Sequence, residues 1–159
     1  MHVLAVALML IGLGKISSAS AFAQDSTSGP WTQKQATQPN VLATMLSNKS
    51  GVKPVILQVG FEVLYRSKHI PHSIYAGAAS TPEGLQKLKK AVSKLPKNAD
   101  IYIYCGCCPI GKCPNIRPAF QALQAMGFTH LHVLMLETNF GKDWVAHGYP
   151  VADESSPSK

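Results

Sequence analysis

All four cysteines of this 159-residue chain lie between Cys105 and Cys113, in the spacing Cys-x-Cys-Cys-x4-Cys. Sulfur chemistry needs a thiolate, and a thiolate needs an environment that stabilises its charge. Cys105 directly follows the β-prone run Ile101-Tyr102-Ile103-Tyr104, and Gly106 follows it. A loop with two glycines (Gly106, Gly111) and two prolines (Pro109, Pro114) leads to Asn115–Met126, where the apolar spacing predicts a helix. A thiol at the carboxyl end of a buried strand, facing a helix N-terminus, sits where α/β proteins bind their ligands. Helix dipole and free backbone N–H groups there favour an anion. Cys105 is therefore the expected nucleophile, with the N–H groups of the 106–111 loop expected to face its sulfur.

The remaining cysteines leave alternatives open. Cys107, Cys108 and Cys113 could form a structural disulfide, or one of them could resolve a redox pair with Cys105. Four cysteines allow three complete pairings, and the sequence does not choose among them. Cys113 is the rival nucleophile, since it lies close to the predicted helix start. Pro114 follows it, however, and has no N–H to offer, whereas Gly106 lets the chain turn its amides toward Cys105. Adjacent cysteines suit a tetrahedral S4 site badly, so no metal and no cofactor is expected. His69 and His72 fall in a His-Ile-Pro turn, and His130 and His132 alternate on a predicted strand beside an expected sheet edge. Nothing in their order brings a histidine to Cys105. Phe140 and Trp144 are candidates for the pocket wall or, more simply, for the core.

The elements around the cysteines alternate between strand and helix. Apolar residues at Val41, Leu42, Met45 and Leu46 predict a helix over 39–48, ended by Gly51. Pro54–Val59 is a near-continuous apolar run of the kind found in strands covered on both faces. Ser73–Ala76 reads as a short second strand. Ser80-Thr81-Pro82-Glu83 has the form of a capping box, opening a helix that runs to about Leu95. Gly127 is a natural C-terminal cap for the helix after the cysteines. Leu131–Leu136 is a further strand and Gly141–His147 a short helix. This alternation implies an α/β domain with a parallel sheet between helices.

The flanks and the charge carry less information. Val3–Leu13 is apolar and too short to span a bilayer comfortably, and Ala21-Phe22-Ala23 has the small-x-small form of a cleavage site. Residues 1–23 are thus expected to be a signal peptide cleaved after Ala23, which implies a periplasmic or extracellular protein with no membrane attachment after cleavage. Residues 24–38 read as a flexible lead-in, with Trp31 the one residue able to pin it down, and 152–159 as a polar tail. The net charge is +7. Lys87, Lys89, Lys90, Lys94 and Lys97 crowd one helix and its exit, but no aromatic or arginine interleaving supports nucleic-acid binding.

Taken together, Gln58-Val59, Tyr65, His69-Ile70-Pro71 and Ser73-Ile74 resemble the first half of a rhodanese-like domain. Ile103-Tyr104-Cys105, Leu123-x-x-x-Gly127-Phe128, Val133-Leu134, Trp144 and Gly148-Tyr149-Pro150-Val151 resemble its second half. The resemblance spans 39–151. It implies a single domain with a central parallel sheet of about five strands and helices on both faces. It also implies a catalytic cysteine that ends a strand and carries sulfur as a persulfide, the position held by Cys105. The active loop is several residues longer than the usual one and lacks its arginine, leaving Lys112 and Arg117 as the nearby cations. Gln58 and Gly60 stand where an aspartate and an arginine are usual, and Leu64 where a glutamate is frequent. The expected substrate contacts are Gly106, Cys107, Cys108, Ile110, Gly111, Lys112 and Arg117. The function so implied is sulfurtransfer from a small sulfur-containing anion to a thiol or similar acceptor. A thiol–disulfide redox protein and a non-enzymatic metal- or partner-binding module are the alternatives, and the oligomeric state is left open.

Overall fold

In a computed structural model, the protein is described for residues 29–48, 51 and 53–154; the expected signal peptide and the last residues of the tail lie outside them. Five parallel strands form one sheet: β1 (Ala36–Thr37), β2 (Val55–Gln58), β3 (Ile74–Tyr75), β4 (Ile101–Tyr104) and β5 (Leu131–Leu134), in the order β1-β5-β4-β2-β3. The helices are α1 (Pro39–Ser47), α2 (Glu62–Ser67), α3 (Pro82–Val92), α4 (Ile116–Ala125) and α5 (Phe140–Asp143). Among the described residues no helix is long and apolar enough to cross a membrane.

Side-chain alternation along β4 explains why the sheet needs cover on both faces. Ile101, Ile103 and Cys105 face a core completed by Leu88 and Val92 of α3 and by Ile116, Ala119, Phe120 and Leu123 of α4. Tyr102 and Tyr104 face the opposite core, with Leu42 and Ala43 of α1, Phe140 of α5 and Trp144. The expected sheet of about five strands between helices is what the chain forms.

Four local expectations give way. The lead-in is not loose at its end: Trp31 packs edge-on against Phe120, a 3-10 turn covers Gln33–Gln35, and Ala36 and Thr37 pair with Val133 and Leu134. Hence β5 is not a sheet edge, and His130 precedes it while His132 stacks on Tyr102. The tail is anchored at its first residue, because Ala152 and His69 exchange backbone hydrogen bonds. The cap of α3 is Thr81, whose Oγ1 accepts from Gly84 N, so Ser80 is released from capping. α2 carries no sequence signal, because Val63 and Leu64 on it and Phe61 before it stay exposed instead of forming a buried stripe.

The lysines of α3 and its exit are all exposed, as a solvated helix face requires. Lys87 lies over the Tyr75 ring and Lys97 over that of Phe128.

Candidate active site

Because the strands are parallel, their carboxyl ends share one edge of the sheet, and a cleft of about 640 Å³ opens there. Its floor is Cys105, Gly106 and Cys107; Tyr104 and Gln58 are the strand residues beneath. One wall is Phe61, Val63, Leu64, Ser67 and Lys68 from α2 and its ends. The other is Asn139, Phe140 and Gly141 at the start of α5, with Val145 beyond. The lining is mostly apolar, and Lys68 is its one cation.

Two backbone features hold the floor open. Gly106 has φ +87°, and a Cβ there would meet Phe140 Cβ at 2.9 Å; its carbonyl accepts from Phe140 N at 3.1 Å. Gly60 lies so close to the thiol that a Cβ would stand 2.7 Å from Cys105 Sγ. Gln58, fully buried, spans the gap: its Nε2 donates to Cys105 O at 3.0 Å and its Oε1 accepts from Gly60 N at 3.2 Å. A neutral amide thus satisfies two backbone groups without placing a charge beside the sulfur.

The sulfurs form a compact cluster of free thiols. Cys105 Sγ is 3.3 Å from Cys107 Sγ, which is 2.9 Å from Cys108 Sγ. The Sγ atoms of Cys105, Cys107 and Cys113 all lie within 4.8 Å of one another, a triangle compact enough for a thiophilic ion as well as for covalent sulfur chemistry. Cys108 stands outside that triangle.

Asn115 organises the two buried thiols. Its side chain is fully buried; Oδ1 accepts from the released Ser80 N–H at 2.9 Å, which points Nδ2 at Cys105 Sγ, 3.3 Å away. Its own N–H and that of Ile116 donate to the sulfur of Cys113, and the thiol of Cys105 hydrogen-bonds to Cys113. The pair therefore shares its proton unevenly. Cys113 is held below the ordinary thiol range by the bond from Cys105 and by the amides at the start of α4, while that same bond, together with burial, pushes Cys105 up. Cys108 is pushed up to about 12 by burial and by its bond to Cys107.

The amide cradle differs from the expected one. Cys107 N–H does donate to Cys105 Sγ. Ile110 N–H, however, is spent on Leu136 O, Lys112 N–H on Pro109 O and Cys113 N–H on Ile110 O. The missing N–H of Pro114 does not isolate Cys113, because the next two amides reach its sulfur. Of the expected substrate contacts, Gly106 and Cys107 line the cleft with Cys105. Cys108, Ile110, Gly111, Lys112 and Arg117 do not, and the Arg117 guanidinium instead lies over the Trp31 ring. Lys68, Asn115 and Asn139 were not among the expected contacts. Fold topology carries Lys68 to the cleft from the end of α2, and Asn115, two residues after Cys113, reaches back to Cys105. His69 stacks on Tyr65 and bonds to its carbonyl, away from the cleft. Phe140 is both pocket wall and core; Trp144 is core, its indole N–H bound to Pro150 O.

Solved structures share this architecture. The rhodanese-like domain of an Anabaena protein is 22% identical and covers 79% of this chain and 86% of its own, with a TM-score of 0.56. A protein from Bacillus halodurans gives 18% identity, 74% and 76% coverage and 0.56. A thiosulfate sulfurtransferase from Pseudomonas aeruginosa is 24% identical over 77% of this chain but only 20% of its own length, with 0.54. These likenesses speak for the fold. No curated protein matches the chain. The family description "Rhodanese-like domain" matches residues 38–138, from the turn before α1 to beyond β5 and including the whole cysteine loop, so the chain belongs to the rhodanese-like domain family.

Proposed function

We propose that this protein is an exported sulfurtransferase that carries sulfane sulfur as a persulfide on Cys105. One observation carries the reading: of the two buried thiols, Cys105 is the one at the floor of the cleft. A donor such as thiosulfate would enter above it. As the donor docks, the Cys105 proton passes along the existing hydrogen bond to the Cys113 thiolate. Cys105 attacks the outer sulfur of the donor, the donor's S–S bond breaks, and sulfite leaves with the electron pair. The persulfide anion is then met by Cys107 N–H and Asn115 Nδ2, the donors already aimed at Cys105 Sγ.

An acceptor thiolate takes the outer sulfur and Cys105 leaves as thiolate. Lys68 is the cation placed to meet an anionic donor, and the apolar walls favour an acceptor with an organic body. Export, with cleavage after Ala23, rests on the apolar leader; nucleic acid and membrane are not partners in this reading. The test is intact mass of the reduced mature chain before and after thiosulfate, with alkylation mapping. The expected result is a gain of one sulfur atom on Cys105. No gain, or a gain confined to another cysteine, refutes the assignment.

The alternative of thiol–disulfide exchange draws on the same cluster, through the proton shared by Cys105 and Cys113. It predicts a mixed disulfide with an added dithiol and no response to thiosulfate.

A further inference from the structure

The cleft reading leaves Cys113 underused. Its sulfur is buried, anchored by two backbone amides, and within 4.8 Å of Cys105 Sγ, yet it does not line the cleft. Cys113 therefore approaches Cys105 from the protein side. A persulfide on Cys105 has its outer sulfur in the cleft, where there is room, and its inner sulfur where Sγ already stands. Cys107 lies on the other side, lining the cleft beside the outer sulfur, while Cys108 hydrogen-bonds to both Cys107 and Cys113 and does not line the cleft. Asn115 fixes the geometry, touching Cys105 with its side chain and Cys113 with its backbone.

We propose, resting on the persulfide reading above, that Cys113 discharges the Cys105 persulfide within the protein. The Cys113 sulfur attacks the inner sulfur of Cys105 and the Cys105–Cys113 disulfide forms; the outer sulfur departs with the electrons of the broken S–S bond, takes the proton that Cys113 received during loading, and leaves as hydrosulfide. The sulfane sulfur is reduced to sulfide and the two cysteine sulfurs are oxidised, so no outside oxidant is needed. A dithiol reductant must then reopen the disulfide by exchange. The enzyme's acceptor class is accordingly a dithiol, its products are sulfite and sulfide, and a dithiol-regenerating reaction must work alongside it. The amide-held Cys113 suits the attacking role, because the two backbone N–H groups at its sulfur favour the thiolate that forms as its proton leaves.

The experiment uses the reduced mature chain, freed of reductant and given thiosulfate alone, with sulfite, sulfide and intact mass followed together. The unaltered chain is expected to release sulfite and then sulfide in equal amounts, ending with a disulfide mapped to Cys105 and Cys113. Cys113→Ser is expected to retain the extra sulfur on Cys105 and to lower sulfide release at least tenfold. Cys107→Ser, which removes the cleft-lining sulfur and keeps the backbone N–H, is still expected to end with the disulfide mapped to Cys105 and Cys113. A lasting persulfide on the unaltered chain, without sulfide, overturns the inference and leaves the sulfurtransfer reading standing. So does sulfide release that depends on Cys107 instead of Cys113. Absence of sulfite release overturns both. The disulfide map of the unaltered chain decides the matter even where a substitution at 113 unfolds the protein.

Discussion

The two buried thiols of the cluster live in different halves of one site. Cys105 ends a strand, faces a roomy cleft and receives one amide N–H and one side-chain amide. Cys113 sits against the start of α4, faces no cleft and receives two backbone amides. Access and acidity are thus separated: the thiol that substrates reach is the protonated partner, and the thiol that is readily ionised is sheltered. A single cysteine must have both properties at once. Two cysteines sharing a proton divide them, and the proton can move between them as the donor arrives.

The largest test of that division is Cys105→Ser, expected to lower sulfur loading by roughly 10³-fold or more, as loss of a covalent nucleophile does. If instead Cys113→Ser abolishes loading and Cys105→Ser keeps it, the roles are reversed. Asn115→Ala should follow, removing a donor to Cys105 and the acceptor of the Ser80 N–H. A stability loss of about 1 kcal/mol is expected from the lost hydrogen bonds, with slower loading beyond what unfolding explains. Denaturant melts and single-turnover loading on the same sample separate the two effects.

The acidity contrast is sharpened by pH. Cys113 is lowered from the ordinary 9 to about 6, so above pH 6 it can accept the Cys105 proton. Loading should fall as pH drops through about 6, and in Cys113→Ser the acid limb should move upward. A pH profile with the same limb in both proteins would break the link. The lowered Cys113 contributes stability that is lost as pH falls through about 6, and the raised Cys105 and Cys108 oppose it by withdrawing stability as pH rises above the ordinary thiol value of 9. The smallest effect concerns Lys68. Lys68→Ala should raise KM for thiosulfate a few-fold with kcat little changed, and Lys112→Ala, outside the cleft, should do less. Equal effects of the two would remove Lys68 from the site.

The sheet and its helices were legible because their signals are periodic. The apolar runs of β2, β4 and β5 and the stripes of α1, α3 and α4 state which faces must be covered. β1 and α2 were not legible for opposite reasons. Two residues, Ala36 and Thr37, are too few to show a period, and the apolar residues of α2 turn toward a cleft instead of a core. Within the site, the place of Cys105 follows from the strand that ends on it. The sulfur triangle does not follow from spacing, because it depends on the path of the Gly106–Pro114 loop. That path is set by a distant contact, Ile110 N–H to Leu136 O. In the sequence Asn115 marks only the start of a predicted helix. Its actual partners, Ser80 and Cys105, come together only in the fold.

The pairing of β1 with β5 also bears on the order in which the chain assembles. Ala36 and Thr37 lie near the start of the described chain, and their partners Val133 and Leu134 lie near its end. Contacts so far apart in sequence form late, since the loop between them must first be ordered. During synthesis β1 emerges first and waits, unpaired, until β5 has followed it. The edge that closes last in folding is the natural place for local opening in the finished protein. Leu136 lies two residues beyond β5 and holds the cysteine loop through Ile110. Fraying at β1 therefore loosens the tether of the sulfurs themselves, and hydrogen exchange at Met135, whose N–H is bound to Thr37 O, would report it.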